Sequence, residues 1–279
     1  MERIIESNDG VGLHLHHLGG GAGQRLLICH ATGFHGRAYA PLAGHLAERF
    51  DVWALDFRGH GSSTEPRSGD FSWEGMAADV LACIDDLGGS SVYAVGHSMG
   101  GAAILLAELA RPGAIIATYL FEPIVFPEGF IVGRGDNSMA AMARRRRSTF
   151  ASKAEAHERY AGRPPLDALH PEALAAYVEF GFVPTDDGMV TLACTPENEA
   201  RTFEADDKMT IDLVRDLELQ VATACGRTSD GPGPAEFAIH TARAMPNAVL
   251  RRHDDLGHFG PLEAPSVIAA EIIDELAPR

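Results

Sequence analysis

Short apolar runs alternate along the chain with stretches of helical periodicity. RIIES (3–7) and VGLHLHH (11–17) alternate apolar and polar residues on either side of Asn8-Asp9-Gly10, which predicts a hairpin closed by a tight turn. LLIC (26–29), DVWAL (51–55), VYAV (92–95), IIATYL (115–120), LQVATA (219–224) and AVLRR (248–252) are further β-rich runs. Helical patterns fall between them at 37–49, 73–87, 99–111, 235–244 and 265–277. Strands that alternate with helices predict an α/β fold, a mostly parallel sheet covered on both faces.

The alternation stops between 123 and 216. MAAMARRRRSTF, AEAHERYAG, PEALAAYVEFGF and PENEARTFEAD all read as helices, and Pro127, Pro164, Pro165, Pro184 and Pro196 break them into short pieces. Strand–helix alternation then resumes. The reading is a core of 1–122 and 217–279 with a helical segment, 123–216, inserted after the sixth strand. LGGGAG (18–23) fits no GxGxxG frame and reads as a plain loop.

Composition narrows the field. The 279 residues hold 46% apolar and 22% charged positions, enough to bury a full core. With 23 Lys and Arg against 39 Asp and Glu, the formal charge is −16. Such a surface repels phosphate backbones and anionic bilayers, so neither nucleic acid nor a membrane is expected as a partner. The four cysteines, Cys29, Cys83, Cys194 and Cys225, form no CxxC pair, and MERIIE at residues 1–6 lacks an apolar signal core. A reduced, cytoplasmic protein is the expectation.

The sharpest local signal is VYAVGHSMGGAAILLAEL. The β-run VYAV enters Gly96-His97-Ser98-Met99-Gly100, and a helix leaves it: GxSxG between a strand and a helix. That setting puts a serine hydroxyl on a tight turn and aims the following helix N-terminus, with Met99 N–H, at developing negative charge. A serine needs a base. Of 13 histidines, His258 stands on a glycine-bearing loop between the last strand and the final helix. His97 adjoins Ser98, but neighbours on a tight turn point apart. Arg144 to Arg147 would spread around a helix as a solvated, acid-paired surface; the sharper alternative is that one of them meets a carboxylate-bearing substrate.

These motifs resemble the α/β-hydrolase family. HATGFHGRAYAPLA (30–43) is similar to its oxyanion loop and first helix, LDFRGHGSS (55–63) to a strand-to-loop segment found in many members, and DLGHFGPLEAP (255–265) to the loop that carries the catalytic histidine. The resemblance implies an α/β-hydrolase fold with a mostly parallel eight-stranded sheet, flanking helices and an inserted helical cap. It implies Ser98 as nucleophile, His258 as base, and an oxyanion hole from the N–H groups of Met99 and Thr32, with Ala31 where relatives often carry glycine. Two acids compete. Asp230 follows the strand LQVATA, one position later than the usual spacing. Glu122 lies 24 residues beyond Ser98, the offset at which some haloalkane dehalogenases and lactonases resembling zearalenone hydrolase carry theirs. Phe34, Arg37, Tyr39, Phe126 and Phe259 flank the matched motifs and are expected to meet substrate. The implied activity is cofactor-free hydrolysis of a small carboxylic ester or lactone through an acyl-enzyme. The alternatives are a carbon–carbon bond hydrolase of ring-cleavage products and a hydrolase-like binding protein of low turnover.

Overall fold

In the computed structural model, residues 1–21, 23–129, 137–227 and 233–277 are described. The predicted hairpin is β1 (Glu2–Glu6) and β2 (Gly12–Gly19), paired antiparallel across a turn in which Asp9 and Gly10 take φ of 56° and 67°. The parallel strands are β3 (Gln24–Cys29), β4 (Phe50–Leu55), β5 (Val92–His97), β6 (Ile115–Phe121), β10 (Gln220–Cys225) and β11 (Ala248–Arg252). The eight run in the order β1-β2-β4-β3-β5-β6-β10-β11.

The apolar runs are continuous because both faces of the sheet are covered. Successive residues go to opposite sides. On β3, Leu27 and Cys29 enter one core and Leu26 and Ile28 the other; on β4, Trp53 and Leu55 oppose Val52 and Ala54. The first core is closed by α2 (Trp73–Asp86) and α3 (Met99–Ala110) through Met76, Val80, Ile104 and Leu105. The second is closed by α1 (Ala40–Leu46) and α11 (Pro265–Leu276) through Leu42, Leu46, Ile268 and Ile272. α9 (Pro234–Ala244) packs on β10 and β11. No helix among the described residues is long and apolar enough to cross a membrane.

Between β6 and β10 the chain leaves the sheet. It forms α4 (Ser138–Arg144), β7 (Thr149–Phe150), α5 (Lys153–Ala161), α6 (Pro171–Phe180), β8 (Phe182–Pro184), β9 (Val190–Leu192), α7 (Pro196–Glu204) and α8 (Ile211–Val214). The sequence predicts a mainly helical segment here. The structure adds a three-stranded antiparallel sheet, β7-β9-β8. Helix α6 stops at Phe180, and the β-branched and aromatic residues on either side of the Thr185–Gly188 turn pair instead. Three of these helix starts are capped in the same way: the side chains of Asn137, Ser152 and Thr195 accept from Ala140, Glu155 and Asn198 N–H.

This segment is bound to the loops at the C-terminal ends of the strands. Asp207 accepts from Trp73 and Glu74 N–H at the start of α2, at 3.0 and 2.7 Å. His35, in the loop after β3, bonds Tyr177 O at 3.1 Å. Asn198 donates to Gly59 O, after β4, at 3.3 Å.

Candidate active site

β5 ends at His97 and α3 begins at Met99, so Ser98 alone makes the turn. Its backbone lies at φ 56° and ψ −121°, a region that costs an L-residue about 1–3 kcal/mol. Ser98 N–H donates to Phe121 O at 3.0 Å, and Ser98 O accepts from Gly101 and Ile124 N–H at 3.0 and 3.2 Å. The motif glycines answer to close approach. A Cβ on Gly96 would stand 2.5 Å from Gly101 Cα, and one on Gly100 would stand 2.2 Å from Cys29 O. The bare Gly100 therefore lets the N-terminus of α3 press against the backbone leaving β3, the stretch that leads to Thr32. Ser98 is only 8% exposed, so most of the residue is covered.

His258 stands between β11 and the short helix α10 (Gly260–Glu263). Its Nδ1 lies 2.5 Å from Glu122 Oε2. Glu122 is the first residue beyond β6, is 2% exposed, and takes φ 45° to turn inward. Its Oε1 accepts from Gly226 N–H at 2.8 Å, and its own N–H donates to Ala224 O at 2.8 Å. The end of β10 thus fixes the carboxylate that fixes the imidazole. A carboxylate only accepts, so Nδ1 carries the hydrogen and Nε2 is left with its lone pair. Among the described residues Nε2 has no protein hydrogen-bond partner, so its lone pair is free to accept a proton. The other acid weighed from the sequence, Asp230, lies outside the described residues.

The backbone of His258 is held as firmly as its ring. Glu263 accepts from Gly257 N–H at 2.8 Å and from Phe259 N–H at 3.1 Å, the amides on either side of His258. The His258 carbonyl accepts from His97 Nε2 at 2.7 Å, and the two rings lie 5.0 Å apart. Burial holds His97 well below the usual histidine pKa, so the ring is neutral. The sequence reading missed Glu263 altogether. Its signal was a carboxylate five residues after His258, at the end of the short helix α10.

The structure divides the expected substrate contacts. Phe34 and Phe259 meet with centroids 5.2 Å apart, and Phe34 meets Tyr177 of the inserted segment at 4.9 Å. These rings form an aromatic wall beside His258, whose ring is 5.4 Å from Phe259. Two expectations need correcting. Tyr39 is fully buried, with its hydroxyl engaged by His97 and Ala31, so it lies behind the turn. Arg37 pairs with Glu2 of β1, hydrogen-bonds His16 of β2 and covers the ring of Phe180 at the end of α6, so its side chain is engaged within the protein. Phe126 packs near Trp73 and Phe237, and its N–H and C=O bond Met209 O and Ile211 N–H. It ties the two ends of the inserted segment together.

Three members of the arginine run are acid-paired. Arg144 bonds Glu197 and Glu204, and Arg147 bonds Glu155. Arg146 pairs with Glu199 at 3.0 Å and donates to the Tyr177 hydroxyl. The clustered histidines of β2 also have carboxylate partners: His14 with Glu2, His16 with Asp56 and His17 with Asp51. His30 is buried, donates from Nδ1 to Ala31 O and accepts Phe57 N–H at Nε2, which makes it scaffold for the loop after β3.

A serine on a strand–turn–helix, an acid–histidine pair whose members follow the strands on either side of β10, and a mostly parallel eight-stranded sheet together define a hydrolase of α/β architecture. The sequence profile of the alpha/beta hydrolase family matches residues 26–271, and the chain belongs to that family. Lipase LipV of Mycobacterium tuberculosis is 33% identical over 131 residues, 47% of this chain and 49% of the lipase, so the match spans about half the lipase's length. The 2-(acetamidomethylene)succinate hydrolase of Mesorhizobium japonicum is 26% identical over 231 residues, 81% of this chain and 78% of that protein. Among solved structures, an E-2-(acetamidomethylene)succinate hydrolase superimposes with a TM-score of 0.77 at 20% identity, covering 100% of this chain and 99% of its own.

Proposed function

We propose that this chain is a serine hydrolase that cleaves a small carboxylic ester or lactone through an acyl-enzyme on Ser98. The observation that carries the reading is the Glu122–His258 pair, with Nε2 left open, together with a serine on a strained strand-to-helix turn whose neighbour His97 bonds His258 O. Ser98 Oγ attacks the carbonyl while His258 Nε2 takes its proton. Glu122 holds the Nδ1–H and stabilises the imidazolium that forms. The N–H groups of Met99 and Thr32 receive the oxyanion. His258 then protonates the leaving alkoxide; in a lactone that alcohol stays attached to the acyl group. Water, deprotonated by His258, releases the acid and restores Ser98.

In this reading residues 123–216 act as a cap over the pocket, with Phe34, Phe259 and Tyr177 as its apolar wall. Ser98 is nearly covered, which supports a site that admits small molecules and excludes bulk water. Incubation with a fluorophosphonate probe, followed by turnover of p-nitrophenyl acetate and a lactone panel, tests the proposal. 2-(Acetamidomethylene)succinate, the amide that names a relative, is assayed beside the esters and lactones. Labelling and turnover that both vanish in Ser98→Ala are expected. Labelling without turnover of any compound would favour the binding-protein alternative, and turnover that survives Ser98→Ala would remove Ser98 from the reaction.

A further inference from the structure

His97 was set aside on sequence because it points away from its neighbour on the turn. The structure gives it another connection. Its Nε2 lies 2.7 Å from His258 O, and its Nδ1 lies 2.7 Å from the Tyr39 hydroxyl. The Tyr39 oxygen in turn lies 3.2 Å from Ala31 N. The direction of every hydrogen follows from the groups. A carbonyl only accepts, so the His97 hydrogen sits on Nε2. The neutral ring then presents a lone pair at Nδ1, and Tyr39 must donate to it. Ala31 N–H only donates, so the Tyr39 oxygen accepts it. Ala31, Tyr39 and His97 are 3%, 0% and 0% exposed, so water does not compete for these bonds.

The result is one directed chain: Ala31 N–H to Tyr39 oxygen, Tyr39 O–H to His97 Nδ1, His97 Nε2–H to His258 O. It starts one residue before Thr32, passes through the residue beside Ser98, and ends on the backbone of His258. We infer that Tyr39 and His97 are positioning residues, which set the distance between the loop that holds the oxyanion and the histidine that moves the proton. The inference rests on the hydrolase reading of Ser98. The Tyr39 hydrogen also selects the His97 tautomer. Without it the ring is free to move its hydrogen to Nδ1, and the bare Nε2 would then repel the carbonyl of His258.

Four variants test this: Tyr39→Phe, His97→Leu, His97→Gln and Ser98→Ala. Tyr39→Phe removes one oxygen from an otherwise unchanged core. We expect kcat on p-nitrophenyl acetate to fall about tenfold with KM within about twofold, and His97→Leu to lose about a hundredfold. His97→Gln retains an N–H donor that can reach His258 O, so part of that loss should return. A readout independent of turnover is the downfield proton resonance of His258 Nδ1–H, identified by its change in Glu122→Gln; it should shift in Tyr39→Phe. If folded Tyr39→Phe keeps wild-type kcat and leaves that resonance in place, the positioning role is overturned. Should His97→Leu fail to fold, Tyr39→Phe decides. Wild-type turnover in Ser98→Ala would instead defeat the hydrolase reading, and the resonance would still judge the chain of hydrogen bonds.

Discussion

Glu122 and His258 are 136 residues apart in sequence and 2.5 Å apart in space, Oε2 to Nδ1. The other carboxylate oxygen is held by Gly226 N–H, so the acid is fixed from two sides. Glu122→Gln cannot satisfy both donors, because one of its two positions becomes an NH2. Loss of the ring's orientation and tautomer should lower kcat by about 10³–10⁴-fold. Asp230→Asn should leave kcat within about threefold by the same reasoning. Steady-state kinetics of the two variants decide between the acids, and the opposite pattern would return the role to Asp230.

Gly100 is the point where α3 touches the backbone leaving β3. In Gly100→Ala the new Cβ would stand 2.2 Å from Cys29 O, a backbone atom that cannot swing aside. Urea unfolding should show a loss of about 1–3 kcal/mol. Turnover should fall as well, because Met99 and Thr32 are pushed apart. Gly44 in α1 is the control: nothing lies within 4 Å of its added Cβ. Gly44→Ala should gain about 0.5–1 kcal/mol from helix propensity and leave kcat unchanged.

Glu263 grips the amides on both sides of His258. Glu263→Gln keeps one good acceptor and faces the other amide with a donor. Amide hydrogen exchange at Gly257 and Phe259 should accelerate, with about 1–2 kcal/mol lost from global stability. The rate of fluorophosphonate labelling should drop even where KM does not change. Unaltered exchange at those two amides would show that the loop holds without the carboxylate.

Four buried histidines make the fold acid-sensitive. Burial holds His30 down at about 3, and it lowers His35, His60 and His97 as well. In the unfolded chain each titrates near 6.5. Above that value folded and unfolded states bind the same protons, and the stability is fully present. As pH falls below about 6.5 the unfolded chain takes up protons the folded chain refuses. Each ring then removes up to about 1.4 kcal/mol per pH unit until its folded pKa is reached. Urea midpoints should therefore decline from about pH 6.5 toward pH 5. A flat profile across that interval would mean these rings are protonated in the folded protein.

Much of the architecture was legible from period and punctuation. Alternating residues of β3 and β4 enter opposite cores, so their sequences read as unbroken apolar runs, and α2, α3 and α11 end within a residue of the periodic stretches. GxSxG was legible because it is local: strand, turn and helix are contiguous, and the glycines are demanded by atoms only a few residues away or on the next strand. The small sheet β7-β9-β8 was not legible. Its strands are two or three residues long, too short for a period to register, and pairing across the insertion outweighs their propensities.

The sequence by itself determined which residue types were at hand and which could be neighbours along the chain: a serine on a tight turn, a histidine after the last strand, two eligible acids. Only the tertiary structure decided the partners. Glu122 meets His258 because β6 and β10 lie side by side, which brings Gly226 to the carboxylate and the loop after β11 to its other oxygen. Tyr39 moved from substrate contact to buried support because hydroxyl direction depends on packing and leaves no trace in spacing. Hydrogen-bond geometry between distant segments is set by where strands stand in a sheet, and that order is a property of the whole chain rather than of any stretch of it.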